Sequence, residues 1–200
     1  AIAASDVGNM GQGAESITAV QVDAAGNVSA ASAASILTVD TGVPSAATVA
    51  LGSGVDSSGA TDAEATATSG VVTVTGENGA TIVATLTGQS GVVTKTVTGT
   101  GSAVAVTLTA TEVDTLGEGA VTVKVAQTDS AGNPQEAAEN TATFTVDTVA
   151  PAAPALALGA GVNNGATDAE AAASGGVVTV AGENGAAIVV TLTGQSGTVT

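Results

Sequence analysis

The sequence contains no cysteine, histidine, arginine, tryptophan or tyrosine, one aromatic residue (Phe144) and one methionine (Met10). Each absence removes a class of chemistry. Without histidine, cysteine or arginine, neither a Ser-His-Asp nor a Cys-His nucleophilic set can be assembled, and no soft-metal site exists. Without cysteine, no disulfide braces the fold, although secreted domains of this size often use them. Positive charge is almost missing too. Lys95 and Lys124 face eighteen acids, for a formal net charge of −16. Such a surface repels nucleic acid and anionic membrane, so neither is expected as a partner; it suits high ionic strength or a divalent cation. No apolar run approaches the roughly 20 residues of a membrane helix, and no stretch reads as a signal peptide. Large apolar side chains are scarce beside Ala, Val, Thr and Gly. Burying a Val or Leu contributes roughly 1.5–3 kcal/mol and an Ala much less, so neighbours or bound ions are expected to add stability.

What is present is repetition. Val39-Asp40-Thr41-Gly42-Val43-Pro44 returns as Val146-Asp147-Thr148-Val149-Ala150-Pro151. Thr41 to Thr94 recurs as Thr148 to Thr200, one residue shorter, and Ala1 to Val39 mirrors Thr107 to Val146. Gly76-Glu77-Asn78-Gly79 returns at 182–185, and Asp23-Ala24-Ala25-Gly26-Asn27 matches Asp129-Ser130-Ala131-Gly132-Asn133. The period is near 106 residues, cut out of register. Residues 1–39 are the C-terminal part of one repeat, 40–146 a complete repeat, and 147–200 the N-terminal part of a third. The chain therefore reads as a window from a longer array.

Within the complete repeat, seven short segments alternate between Val or Leu and Thr, separated by turn signals. They are 47–51, 71–75, 81–87, 92–98, the stripe Val104/Val106/Leu108, the stripe Val121/Val123/Val125, and 141–146. Period-two alternation with β-branched residues, at a spacing near ten, predicts an all-β sandwich. Lys95 shares a face with Val93 and Val97, as suits an edge strand guarded by a charge. Thr111 to Gly119 reads as one helical turn, opened by Thr111-x-x-Asp114 and pinned by Leu116, with helix not expected elsewhere.

Seven strands in about 100 residues is the immunoglobulin-like number. The strand pattern, the Asp-x-x-Gly-Asn loop before the last strand, the Val-Asp-Thr-x-x-Pro junction and the Thr61-Asp62-Ala63-Glu64-Ala65 stretch resemble the bacterial Ig-like repeats of giant surface adhesins. These are the biofilm-associated and RTX-type adhesins exported by type I secretion. The resemblance covers all three repeat fragments. It implies tandem immunoglobulin-like β-sandwiches at an extracellular bacterial surface, in cell adhesion or biofilm formation, with Ca²⁺ at the linkers.

The chemistry left to the sequence is that of carboxylates. In a seven-strand sandwich, loops alternate between the end where the chain comes in and the end where it leaves. Glu77 and Asp129 then fall at the incoming end beside Asp40. Asp56, Asp62, Glu64, Glu112 and Asp114 fall at the outgoing end beside Asp147, facing Glu183 of the next repeat. Carboxylates crowded together repel unless a cation sits among them, and Ca²⁺ takes roughly six to eight oxygens. The candidate ligands are Asp40, Glu77 and Asp129 at the first junction, with Asp6 nearby, and Asp62, Glu64, Asp114, Asp147 and Glu183 at the second. The plainer reading is that these acids are solvated, and that the Asp of Asp-x-x-Gly-Asn caps its own turn. Gly11-Gln12-Gly13 and Gly52-Ser53-Gly54 read as turns, since no helix with a following Lys makes them phosphate loops. Asp62/Glu64 lack an apolar wall to raise a pKa for acid–base work.

A structural extender is the leading expectation, with neighbouring repeats of the same chain as its partners and no enzymatic activity or small-molecule substrate. The alternatives are a surface-binding module, which no exposed aromatic supports, and a self-assembling filament or sheath, with lateral association of rods left open.

Overall fold

A computed structural model describes residues 3–55, 59–136 and 138–200, so Asp56 lies outside the described residues. The chain forms two compact units, Ala1–Thr148 and Val149–Thr200.

The first unit begins with α1 (Ala4–Met10) and a hairpin of β1 (Gly13–Ile17) and β2 (Ser35–Val39). Then follow β3 (Thr48–Leu51), α2 (Asp62–Ala65), β4 (Val72–Thr75), β5 (Thr81–Thr87), β6 (Val92–Thr98) and β7 (Val104–Val106). α3 (Ala110–Leu116), β8 (Gly119–Thr128) and β9 (Asn140–Val146) complete it. The strands from β3 onward make two antiparallel sheets, ordered β3-β4-β7 and β6-β5-β8-β9. Alternation decides what they bury. Val72 and Val74 from the smaller sheet, and Ile82, Ala84, Leu86, Val121, Val123, Val125 and Phe144 from the larger, join one core, while the intervening threonines face out. The molecule is thus predominantly β, as expected, and layered as a sandwich. Lys95 sits on β6, an edge strand, as its sequence context predicts.

Large side chains are few, so the backbones approach closely instead. A methyl added at Gly52 would collide with the Gly70 carbonyl, and one at Gly159 would meet that of Gly176, the same pair one period later. Gly70 also has φ of 82°, a conformation that glycine adopts without strain.

The helices correct the sequence reading in two ways. α3 begins at Ala110 with Thr109, not Thr111, as its cap: the Thr109 hydroxyl accepts from the Glu112 amide, and the Glu112 carboxylate takes the Thr109 amide at 2.8 Å. A capping box satisfies two orphan amides at this spacing, and the acid three residues after the cap is Glu112; Asp114 lies two residues further on, inside the helix. Helix also occurs elsewhere. Thr61-x-x-Glu64 builds the same box on α2, and α1 occupies the position that α3 holds one period later. Asp62 and Glu64 therefore belong to a helical turn, not to an open loop.

The second unit holds β10 (Ala155–Leu158), α4 (Asp168–Ala171), β11 (Val178–Ala181), β12 (Leu192–Gly194) and β13 (Gly197–Val199). β10 pairs with β11, aligning Ala155 with Ala181 as β3 and β4 align Thr48 with Thr75. β12 pairs with β13, aligning Leu192 with Val199 as Leu86 aligns with Val93. Among the described residues, no helix is long and apolar enough to cross a membrane.

Candidate functional site

At the incoming end, the β4–β5 turn and the β8–β9 turn flank the linker that enters β3. Asp40, Val43, Pro44, Glu77, Asn78 and Asp129 line one cavity of about 230 Å³. The three acids expected at the first junction thus share one polar recess, although they are remote in sequence.

Asp129 is placed by its own turn, and Asp40 and Glu77 by partners far along the chain. Asp129 folds its carboxylate into its own turn. Oδ1 accepts the amides of Ala131 (2.9 Å), Gly132 (2.8 Å) and Asn133 (2.8 Å), and Oδ2 accepts the Asn133 side-chain amide at 2.8 Å. The Asn133 contact leads the set of hydrogen bonds that hold the Asp129 carboxyl below the usual aspartate range, by favouring its charged form. Asp23 makes the same turn with Asn27, and Asn27 lowers its pKa likewise. Asn133 also donates to the Asp40 carbonyl at 3.1 Å, which fastens the incoming linker to this turn. Asp40 in turn accepts the Gly42 amide at 3.1 Å.

Glu77 is set by Gln127, the one buried polar side chain among the described residues. Gln127 Oε1 accepts the Glu77 amide at 2.9 Å, and its Nε2 donates to the Ser45 carbonyl. Gln135 Oε1 accepts the amides of both Gln127 (2.9 Å) and Ala47 (3.1 Å). Two glutamines therefore stitch the incoming strand, the Glu77 turn and the β8–β9 turn together. Sequence reasoning overlooked them, although Gln21 and Gln127 stand one period apart, each two residues before the turn aspartate.

At the outgoing end, the Asp147 amide donates to the Ala60 carbonyl at 3.0 Å and the Ala60 amide to the Thr145 carbonyl at 2.7 Å, so the α2 approach lies along β9. Asp62 and Glu64 lie on α2 and Asp114 on α3, and these helices are neighbours. Glu64 Oε2 takes the Thr61 amide and hydroxyl at 2.9 and 2.8 Å. Glu112 is engaged by Lys95, whose Nζ reaches both carboxylate oxygens at 2.8 and 2.9 Å. Lys95 is the foremost cause holding the Glu112 pKa below its usual value, and the Thr109 amide adds to it. Asp62, Asp114 and Asp147 are exposed. Glu183 belongs to the second unit, where it lines a cavity of about 300 Å³ with Pro151, Pro154 and Ile188.

Carboxylates are the donors that a hard cation takes. As placed, however, no group of three or more acidic side chains among the described residues stands close enough to hold one ion. The acids of the first junction line a shared recess without forming a coordination shell, and Asp129 has spent most of its acceptor capacity on its own turn.

A second device escaped the sequence reading. Gln12 holds linker residue Thr41: its Oε1 accepts the Thr41 amide at 2.9 Å while its Nε2 donates to the Thr41 hydroxyl. One period later, Glu118 holds Thr148: Oε2 accepts the amide at 3.0 Å and Oε1 the hydroxyl. The Thr148 hydroxyl, ahead of its amide, keeps the Glu118 carboxyl below the usual glutamate range. The Gly-x-Gly turns at 11–13 and 117–119 thus carry a two-point clamp on each outgoing linker. The signal was the polar residue between the glycines, recurring with the linker threonine.

No family model matches the chain, and no curated protein does. Among solved structures, it is similar to one described as "Ca2+-stabilized adhesin helps an Antarctic bacterium reach out and bind ice". The identity is 24%, the TM-score 0.35, and the match covers 74% of this chain and 35% of that one. The chain thus spans about a third of that protein's solved length. At this level of likeness, no property of the neighbour transfers.

Proposed function

We propose that the chain is a structural extender: tandem immunoglobulin-like repeats of a large bacterial cell-surface adhesin that hold a distal binding domain away from the cell. The observation that carries this reading is the periodic fixing of the linker. The Gln12–Thr41 and Glu118–Thr148 clamps recur with the repeat, as does the Asp-x-x-Gly-Asn turn, so the sequence invests in the direction of the chain between repeats. The absence of histidine, cysteine and arginine supports the same reading, because length needs no reactive group.

Calcium belongs to the proposal as a stiffener of the junction, drawn by the charge around Asp40, Glu77 and Asp129. Completing a shell requires the exposed Asp40 and Glu77 side chains to turn toward one ion. An ion at a hundredfold excess over its Kd stabilises a fold by about 2.7 kcal/mol, and about 1 kcal/mol moves the Tm of such a domain by roughly 4–8 °C. Thermal unfolding by far-UV circular dichroism in about 10 mM Ca²⁺, roughly a ten- to hundredfold excess at the affinity of extracellular modules, is therefore expected to exceed that in EDTA by about 5–20 °C, with a longer shape in X-ray scattering. Identical melts and shapes would remove calcium and leave a metal-free extender. Saturable binding of the chain itself to a glycan or cell surface would overturn the extender reading.

A further inference from the structure

In the complete repeat, the first strand and the last are tied together by bonds that belong to no sheet. β3, where the chain comes in, lies beside β9, where it leaves. Among the described residues no main-chain ladder joins them, since β3 pairs with β4 and β9 with β8. The ties sit on either side of β3 instead. Before it, the Asn140 side chain donates to the Ala47 carbonyl at 2.7 Å, and Gln135 Oε1 accepts the Ala47 amide at 3.1 Å. The Asn133 side chain holds the Asp40 carbonyl at 3.1 Å. After it, the Ala60 amide donates to the Thr145 carbonyl at 2.7 Å, and the Ala60 carbonyl accepts the Asp147 amide at 3.0 Å. Ala60 meets Val146 in the parallel sense, so the chain from 47 to 60 runs the same way as β9. Ala47 and Ala60 are both fully buried, which keeps water from competing for these bonds.

Direction decides what these bonds do. Tension enters the repeat at Asp40, at the Asn140 end of β9, and leaves at Asp147, past its Val146 end. Parallel neighbours held in this way are drawn in opposite directions and must slide past each other. Sliding loads the ties at both ends of β3 together, whereas a hairpin pulled open from its free end loses its bonds one after another. We infer that β9 and the two stretches flanking β3 form a shear clamp, which makes the complete repeat a load-bearing unit held by Asn133, Gln135, Asn140 and the Ala60 main chain. Tension along the chain belongs to the extender reading, on which this function of the clamp rests. The groups that close it are neutral amides, with no proton to gain and no ion to lose over the pH range in which the fold is stable. The clamp is therefore a source of strength separate from any cation at Asp40, Glu77 and Asp129. The core of the two sheets parts only after it has given way.

Forced unfolding reads a rate, so the test is single-molecule unfolding of the full chain, held by its two ends at constant force. Opening of residues 40–146 is recognised by the release of about 350 Å of chain. Asn140→Ala, which removes an exposed side chain and its bond to Ala47, is expected to raise the unfolding rate at least tenfold. Ala60→Pro, which removes the donor to Thr145, should raise it further. Val93→Ala is the control: it lies in the core on β6, at the opposite edge of the sheet from β9. It should lower the melt more than Asn140→Ala does, yet raise the forced rate less than about threefold, because the core survives until the clamp parts. The same ranking is expected in Ca²⁺ and in EDTA. Forced rates that simply follow the melts would overturn the clamp. A ranking that vanishes in EDTA would overturn it as well, and assign the load to a bound cation. Failure of the extender reading shows elsewhere, as saturable binding of the chain to a glycan or cell surface, and leaves these rates as they are.

Discussion

Replacing Gln127 by methionine isolates what the stitched end contributes. Methionine has nearly the same length and volume, so the packing of this 3%-exposed side chain is preserved while its amide is lost. Two hydrogen bonds disappear, from the Glu77 amide and to the Ser45 carbonyl, whereas the Gln127 main-chain bond to Gln135 remains. A net hydrogen bond contributes about 0.5–1.5 kcal/mol, and a partner left without water costs up to about 3 kcal/mol. Glu77 lies at the surface and its amide regains water, so the expected loss is about 1–3 kcal/mol in total. For a repeat of this size that lowers the Tm by roughly 5–20 °C. Far-UV circular dichroism is the assay, since there is no tryptophan or tyrosine to follow. The same change frees the Glu77 turn and the incoming linker, so any calcium-dependent rise in Tm should shrink. A variant with unchanged Tm would refute the argument that these two bonds hold the incoming end.

Glu118→Ala removes the clamp on Thr148 and should hasten proteolytic cleavage at residues 148–151, with little change in the melt; a cleavage rate equal to the parent's would show that the clamp does not order the linker. Gly52→Ala sets a methyl against the Gly70 carbonyl and should destabilise the repeat by more than about 2 kcal/mol, measured by urea unfolding. Asp129, Glu112 and Glu118 have pKa values depressed in the folded state, so their stabilisation is full above the unfolded-state carboxylate range, about pH 4, and drains away as pH falls through the lower folded values. Stability should therefore be flat from pH 7 to about 5 and drop below about 4. Lys95→Met, which strips Glu112 of its leading partner, should make that drop shallower and cost no more than about 1 kcal/mol at pH 7, because the pair is partly exposed.

Residue identity alone carried the period, the all-β class and most strand bounds. Alternation of Val with Thr has only one meaning when one face must be dry, and β5 and β6 run over the residues that the alternation marks. It also brought Asp40, Glu77 and Asp129 to one end, because loop ends follow from strand order. It misplaced the start of α3, since Thr109-x-x-Glu112 and Thr111-x-x-Asp114 are cap patterns of the same form two residues apart, and local sequence does not choose between them. It also missed the short helix at Asp62–Ala65, because four residues hold no helical periodicity. What only the tertiary structure decided is what each carboxylate does. An acid in a loop has the same sequence signature whether it caps a turn, pairs with a lysine or faces an open recess. The choice depends on partners brought from far along the chain: Lys95 donates to Glu112 and Thr148 to Glu118, while Gln127 accepts the Glu77 amide and so sets that turn. Those encounters are set by how the two sheets stack, which no local pattern of residues contains.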